Sequence, residues 1–326
     1  MTKANKRIAV VYGGYSSEVE ISVKSGTSVA NWLRNAGFEV YEVLLLKDEW
    51  NVVFQDRNEK YPINRKDFSF EMEGQTIRFD NVFIFIHGDP GENGKLQAYF
   101  EMAGVPYTGS PFLSTASIFD KFICKCCLKD AGFFLADDIM LRKGESYDKD
   151  RIVETLGLPV FVKPTQGGSS FGVTKVKRAE DMDEAILNAF KEGDCLIIEK
   201  AVEGREIDCG VYSDSEGIHA LPLIEIVPEN EFFDYEAKYL GASKEICPAP
   251  VSAEDTIKIQ EAAKGIFSRL GCKGLVRMDF ILSRNGEPYF IEVNPNPGMT
   301  PASLVPQMVR QAGMTMENFL TSLMED

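Results

Sequence analysis

The sequence predicts an α/β protein of more than one domain, with a helix-covered parallel sheet at its start and an acidic β-hairpin near its end. Three observations carry this. In the first 110 residues, short apolar runs at 8–12, 39–46 and 82–86 alternate with an amphipathic stretch at 18–35, the pattern of a doubly covered parallel sheet. At 326 residues the chain is too long for one ordinary core, so two or three domains are expected. Finally, two alternating apolar runs between Gly274 and Asn294 flank Asn285-Gly286, the strongest short-range hairpin signal.

Composition narrows the function classes. Hydrophobic residues at 44% and charged ones at 26% describe a globular chain. A balance of 35 basic against 50 acidic residues, net −15, argues against non-specific nucleic-acid binding, so any phosphate must be held by a few placed lysines and amides. The seven cysteines are an odd number, and Cys124, Cys126 and Cys127 lie too close together for a familiar disulfide framework or a CxxC zinc site, which points to a reducing cytoplasm. No apolar run approaches 18 residues, so neither a membrane span nor a signal peptide is expected.

In chain order, the strand at 8–12 enters Gly13-Gly14-Tyr15-Ser16-Ser17, and a helix follows to Asn35, stopped by Gly37. A second strand leads into a charged segment, 47–80, with a hairpin expected at Glu73-Gly74 and no role read for the whole. The strand at 82–86 ends in His87-Gly88-Asp89-Pro90-Gly91-Glu92-Asn93-Gly94. Ligands of such sheets gather at the carboxyl ends of the strands, where Glu18 and His87 would sit. Taken singly, His87 is a strand-end histidine and Glu18 a first-turn glutamate favoured by the helix dipole.

A new unit starts near Ser110. Ser114 is expected to cap a helix running to Asp130 and carrying Lys121. A short strand at 159–163 ends in Lys163, and Gly167-Gly168-Ser169-Ser170-Phe171-Gly172 follows, a loop able to fold its amides over a polyphosphate. Gly168-x-Ser170-x-Gly172 also matches a hydrolase nucleophile elbow, but a strand rather than a helix comes next. The strand at 195–202 carries Glu199, and Glu206 follows seven residues later, a pair suited to an adenine amino group and a ribose diol. An aromatic, charged loop at 232–239 and a helix begun by Ser252 lead to the hairpin.

With Asn285 and Gly286 as a two-residue type I′ turn, facing positions sum to 571: Asp279 opposes Glu292, Arg277 opposes Asn294, and Pro288 opposes Ser283. The first four share one face, while Met278, Phe280, Leu282, Ile291 and Val293 look toward the core. Facing carboxylates about 5 Å apart at Cβ repel each other, so a cation is expected between them. An Asp, a Glu and an Asn offer only oxygen, which suits Mg²⁺ or Mn²⁺ in the company of substrate phosphates. The bland alternative is a solvated hairpin, against which stands the rigid loop Pro295-Asn296-Pro297-Gly298-Met299-Thr300-Pro301, suited to presenting amides.

Six motifs in order over some 280 residues resemble the D-alanine:D-alanine ligases of the ATP-grasp superfamily: Gly13-Gly14-x-Ser16-x-Glu18-x-Glu20-x-Ser22, His87-Gly88-x-x-Gly91-Glu92-x-Gly94, Lys163-Pro164-x-x-x-Gly168-Ser169-Ser170-x-Gly172, Tyr235-Glu236-Ala237-Lys238-Tyr239, Arg277-x-Asp279, and Glu292-x-Asn294-x-x-Pro297-Gly298-Met299-Thr300. The resemblance implies a three-domain ATP-grasp architecture, with an N-terminal substrate domain at 1–110, a central domain at 111–205 and a C-terminal domain at 206–326. It further implies ligation of two D-alanines through an acyl phosphate, for peptidoglycan precursor synthesis.

By that resemblance, Lys121, Lys163 and Lys238 bind ATP phosphates, Ser169 and Ser170 close over them, and Glu199 and Glu206 hold adenine and ribose. Asp279, Glu292 and Asn294 bind two Mg²⁺ or Mn²⁺ ions. Arg277 and the amide of Gly298 form an oxyanion site. Glu18 holds the first ammonium, His87 lies near its carboxylate, and Ser303 and Leu304 take the second carboxylate. Glu18, Ser169 and Tyr239 form a hydrogen-bonded link between lid and substrate site, and Tyr239 favours an amine as nucleophile. The resemblance also implies a homodimer working on D-alanine in the cytoplasm. The chain departs from the commoner pattern at Asp89-Pro90, Gln166-Gly167, Pro295-Asn296 and Phe233, none of which removes a catalytic group. A D-alanine:D-lactate or D-alanine:D-serine ligase, or a nucleotide-binding regulator without catalysis, are the alternatives.

Overall fold

The computed structural model describes residues 6–168, 170–228 and 243–325; the expectations for Ser169, Lys238 and Tyr239 lie outside them. Three sheets are found among the described residues. The first is mixed. Glu39–Leu45, Arg7–Gly13, Asn81–Ile84 and Tyr107–Thr108 run parallel, as the alternating pattern predicts. The segment at 47–80 then extends the sheet through four antiparallel strands, Trp50–Phe54, Glu59–Asn64, Ser69–Met72 and Gln75–Ile77. Glu73 and Gly74 make the expected hairpin turn, both at positive φ (52° and 75°), which is the type I′ requirement. The extension covers one face of the sheet with a ring cluster in which Phe68 meets Phe100 edge-on at 4.8 Å.

The opposite face of this sheet buries Val10, Tyr12 and Phe83 beneath helix Val19–Asn35. Val29, Leu33, Val305, Met308 and Phe319 belong to the same apolar cluster, so the start of the chain is packed on its end.

The second sheet has the strand order Asp138–Arg142, Cys195–Lys200, Val160–Pro164, Thr174–Val176, all antiparallel. The phosphate-loop candidate joins the last two strands in that order. The third sheet runs Ser243–Ile246, Ile224–Pro228, Gly204–Asp214, Leu275–Ser283, Pro288–Asn294, Phe134–Leu135, with Gly217–Ala220 paired beside Gly204–Asp214. Helix Ala253–Arg269, capped by Ser252 Oγ accepting from Asp255 N at 3.0 Å, covers it.

Two expectations need correction. The helix expected to start at Ser114 is two helices, Phe112–Phe119 and Lys121–Leu128. Asp120 lies between them in extended backbone and accepts from Phe122 N and Ile123 N, both at 3.1 Å, so it caps a new helix; Ser114 instead donates to Gly271 O. In the hairpin the loop has three residues, 284–286. Gly286 at φ +75° donates to Ser283 O, and Ser283 faces Glu287, so Pro288 opposes Leu282 and the sum is 570. A bulge between Asp279 and Phe280 then makes Ile291 the extra residue and restores 571 beyond it. Arg277 thus faces Asn294 and Asp279 faces Glu292 as expected. Ile291 leaves the core face and lines a cavity, while Phe290 takes its place against Phe280.

No helix among the described residues is long and apolar enough to cross a membrane.

Candidate active site

A cavity of about 620 Å³ lies between the second and third sheets, and its wall includes Lys121, Lys163, Ser170, Glu199, Glu206, Asp279 and Glu292. Each reaches it by strand or helix register. Phe161 and Lys163 share one face of Val160–Pro164, and Phe161 is paired with Glu199 on the next strand. Lys163 Nζ therefore meets Glu199 Oε2 diagonally. Two groups expected to serve phosphate and adenine separately are thus in contact. Burial opposes the Lys163 charge, but Glu199, with Glu292 and Asp138, outweighs it and holds the ammonium above its ordinary range. Burial likewise opposes the Glu199 charge, and Lys163 and Lys125 pull the carboxyl below its usual range.

The hairpin face differs from expectation in its charges. Arg277 donates from Nε and Nη2 to the two oxygens of Asp279, at 2.8 and 2.9 Å, and its Nε lies 3.2 Å from Asp208 Oδ2. Burial disfavours the guanidinium charge, yet Asp279, Asp208 and Glu292 raise it beyond its ordinary range. Glu292 Oε2 lies 3.4 Å from Lys121 Nζ, which also donates to Gly167 O at 2.9 Å. The like-charge pair is thus neutralised within the chain, by Arg277 on one side and Lys121 on the other.

Asn294 Nδ2 donates to Asp279 Oδ2 at 3.0 Å, so the ligand atom it can offer is Oδ1. Among the described residues, no three Asp, Glu, His or Cys side chains gather as a metal-holding group. Two carboxylates and an amide fit an ion that keeps water and phosphate oxygens in its shell, as Mg²⁺ does.

At the neighbouring end, Glu18 precedes helix Val19–Asn35. A methyl group placed on Gly168 would lie 3.8 Å from Glu18 Oε2 and one on Gly88 3.9 Å from it, so the phosphate loop, the His87 loop and the first helix converge here. Ser170, at the top of that loop, holds φ at +59°. His87 is buried, its Nδ1 4.0 Å from Glu92 Oε1, and its Nε2 has no partner among the described residues. Burial lowers its imidazole below the ordinary range, with Arg277 adding to this and Glu18 opposing. Burial pushes the Glu92 carboxyl up to about 8, against the 2.8 Å bond it accepts from Gly88 N.

The loop after the hairpin closes the site. Asn296 Nδ2 donates to Ile86 O and Gly91 O, both at 3.0 Å, and Met299 N donates to Ser25 Oγ at 3.2 Å. Ser303 Oγ accepts from Thr300 N at 3.0 Å and would stand 3.1 Å from a methyl group on Gly298. Leu304 packs its side chain in the core, so what it can offer a ligand is its main-chain N–H at the start of helix Leu304–Gln311.

Sequence reasoning missed Lys125, Asp120, Asp208 and Asn296 and gave Glu92 no role. Alternation in Glu206-Ile207-Asp208 was the available signal for Asp208, and the i,i+4 spacing from Lys121 was that for Lys125.

Comparison with known proteins identifies the family. The family model described as D-ala D-ala ligase N-terminus matches residues 7–110, and that described as D-ala D-ala ligase C-terminus matches residues 127–325. The chain is 44% identical to a D-alanine--D-alanine ligase of Parabacteroides distasonis, covering 98% of this chain and 97% of that one, and 45% identical to one of Christiangramia forsetii, covering 98% of each. Among solved structures, the VanG D-Ala:D-Ser ligase from Enterococcus faecalis is similar with a TM-score of 0.88 at 33% identity over 98% of both chains. The D-alanine-D-alanine ligase from Coxiella burnetii gives 0.86 at 26%, over 98% of this chain and 93% of that one. Its fold is that of the ATP-grasp ligases, and the chain belongs to the D-alanine–D-alanine ligase family.

Proposed function

We propose the following division of labour for the reaction of this ATP-dependent ligase, which joins two D-alanines into D-alanyl-D-alanine for peptidoglycan precursors. The observation that carries it is the hairpin face, where Asp279 and Glu292 oppose each other beside Arg277 and Asn294 while Lys121 approaches from a separate helix. Lys121 and Lys163 hold the ATP phosphates under the loop of Ser169 and Ser170, Lys238 assists them, and Glu199 and Glu206 take adenine and ribose. Asp279, Glu292 and Asn294 hold two Mg²⁺ or Mn²⁺ ions, which when bound neutralise the β- and γ-phosphates.

Glu18 receives the ammonium of the first D-alanine, and His87 Nε2 lies near its carboxylate. That carboxylate attacks the γ-phosphate, giving an acyl phosphate and ADP. The amine of the second D-alanine, its own carboxylate held at Ser303 and the Leu304 amide, attacks the acyl carbon and phosphate leaves. Arg277, its fork fixed by Asp279, and the Gly298 amide stabilise the oxyanion that forms; such preorganised donors lower the barrier most. Tyr239 completes a link to Glu18 and Ser169.

The domains 1–110, 111–205 and 206–326 remain our division, although helix Lys121–Leu128 and strand Phe134–Leu135 pack with the C-terminal sheet. A cytoplasmic homodimer, with all seven cysteines free, completes the proposal.

The test is a product assay with ATP, Mg²⁺ and a mixture of D-alanine, D-serine and D-lactate. D-alanyl-D-alanine and phosphate are expected as the main products. Arg277→Ala should keep ATP binding while lowering turnover by roughly 10²–10³-fold, as loss of one oxyanion donor does. A dominant D-alanyl-D-serine product, or full activity in the variant, would overturn the corresponding assignment.

A further inference from the structure

We propose that Lys125, standing behind the cavity wall, sets the affinity for the ATP phosphates by occupying one oxygen of Glu199 and so keeping Lys163 exchangeable. The proposal rests on the reading of Lys163 as a phosphate ligand. Lys125 is 4% exposed and spends its donors on Ala136 O at 2.7 Å, Glu199 Oε1 at 2.7 Å and Asp138 Oδ1 at 2.8 Å. Ala136, Glu199 and Lys163 line the cavity and Lys125 does not, so it acts through a neighbour rather than on the nucleotide. Lys163 meets the other oxygen of the same carboxylate, Glu199 Oε2.

Lys125, Lys163 and Glu199 are buried, Asp138 is partly exposed at their edge, and the formal charges of the four cancel. Lys163 has to turn from Glu199 to bind phosphate, and what opposes that turn is the charge it leaves behind. With Lys125 in place, Glu199 keeps a cation when Lys163 departs. Without it, withdrawing Lys163 leaves the buried Glu199 carboxylate with no cation, an expensive state. Lys163 would then stay on Glu199. One helix supplies both parts: Lys121 reaches Gly167 O and Glu292 at the wall, and Lys125, one turn on along the same face, backs it. Lys125 is thus a positioning residue for the nucleotide step.

The experiment compares equilibrium binding of ATP, with Mg²⁺, and of adenosine to the full-length protein and three variants. Lys125→Met is expected to weaken ATP by about tenfold more than it weakens adenosine, since both ligands meet the altered Glu199 but only the phosphates draw Lys163 away from it. Because Lys125→Met leaves an unbalanced charge and can fail to fold, K125M/D138N removes one acid with the cation, and the same selective loss is expected. Equal losses for adenosine and ATP in the folded variants would make Lys125 merely structural and overturn the proposal, as would unchanged ATP binding. Lys163→Met separates the two readings: if it leaves ATP binding unchanged, the assignment of Lys163 itself falls, whereas selective loss there without loss in the Lys125 variants sinks only the present inference.

Discussion

The Glu92 carboxyl, pushed up to about 8 by burial, couples the stability of this protein to pH in a defined direction. In the unfolded chain the group gives up its proton near 4.5. Between these values the folded state holds a proton that the unfolded state has lost. Its stabilising contribution is therefore complete below the lower value, declines as pH rises, and is gone above the upper, with a slope of up to about 1.4 kcal/mol per pH unit. His87, lowered by burial, works with the opposite sign below its ordinary 6.5, so the informative comparison is with a variant. Glu92→Gln should flatten the fall in unfolding free energy between about pH 5 and about pH 8, measured by denaturant titration; identical slopes in the two proteins would refute this. Glu92 stood in a quoted motif, yet nothing in sequence shows burial from two loops at once, and its role was illegible for that reason. Asp279 and Glu292 were legible as a facing pair because the longer loop and the bulge shift the register in opposite senses and leave that end of the hairpin where a two-residue turn would put it.

Asp120 shows what a single cap does for an element. It accepts from two amides of helix Lys121–Leu128, and its other oxygen takes Thr165 Oγ1 at 3.0 Å and Gln166 Nε2 at 3.1 Å, so the helix that carries Lys121 and Lys125 is tied to the root of the phosphate loop. Asp120→Ala should cost about 1–2 kcal/mol of stability, the usual value of a cap, and raise KM for ATP more than KM for D-alanine. A stability loss with both KM values unmoved would reduce Asp120 to a cap alone. The break at Asp120 escaped the sequence because residues 112–128 read as one apolar-periodic run, and a cap is visible only once the backbone leaves the helix. The hairpin had the converse history. A loop one residue longer than the Asn-Gly turn and a bulge at Ile291 shift the register by one each in opposite senses, so the active end came out right while Ile291 and Pro288 did not. An extra residue in a strand leaves little trace in an apolar run such as Tyr289-Phe290-Ile291, where no polar residue marks the change of face.

At the scale of the whole molecule, the function depends on joining segments of the chain more than 200 residues apart. The cluster of Val29, Leu33, Met308 and Phe319 holds the first helix on the last ones, and apolar periodicity cannot say which faces meet. Beside the Met299 N to Ser25 Oγ bond, a second polar joint is Asn296, 8% exposed, whose Nδ2 bridges Ile86 O and Gly91 O and so fixes the loop of Gly298 and Ser303 against the loop of His87. Gly91 O keeps a second donor, Gln97 Nε2 at 2.7 Å, which packs from helix Lys95–Ala103. Asn296→Ala would therefore strip Ile86 O of this donor, with a cost of about 1–3 kcal/mol for a carbonyl left buried and unpaired. The nucleotide cavity is built by the other two sheets and does not include Asn296. The expected signature is thus a raised KM for D-alanine with KM for ATP unchanged, read from initial rates with each substrate varied in turn. A rise in KM for ATP alone would place Asn296 in the nucleotide half of the site and would refute its role as the joint between the two substrate loops.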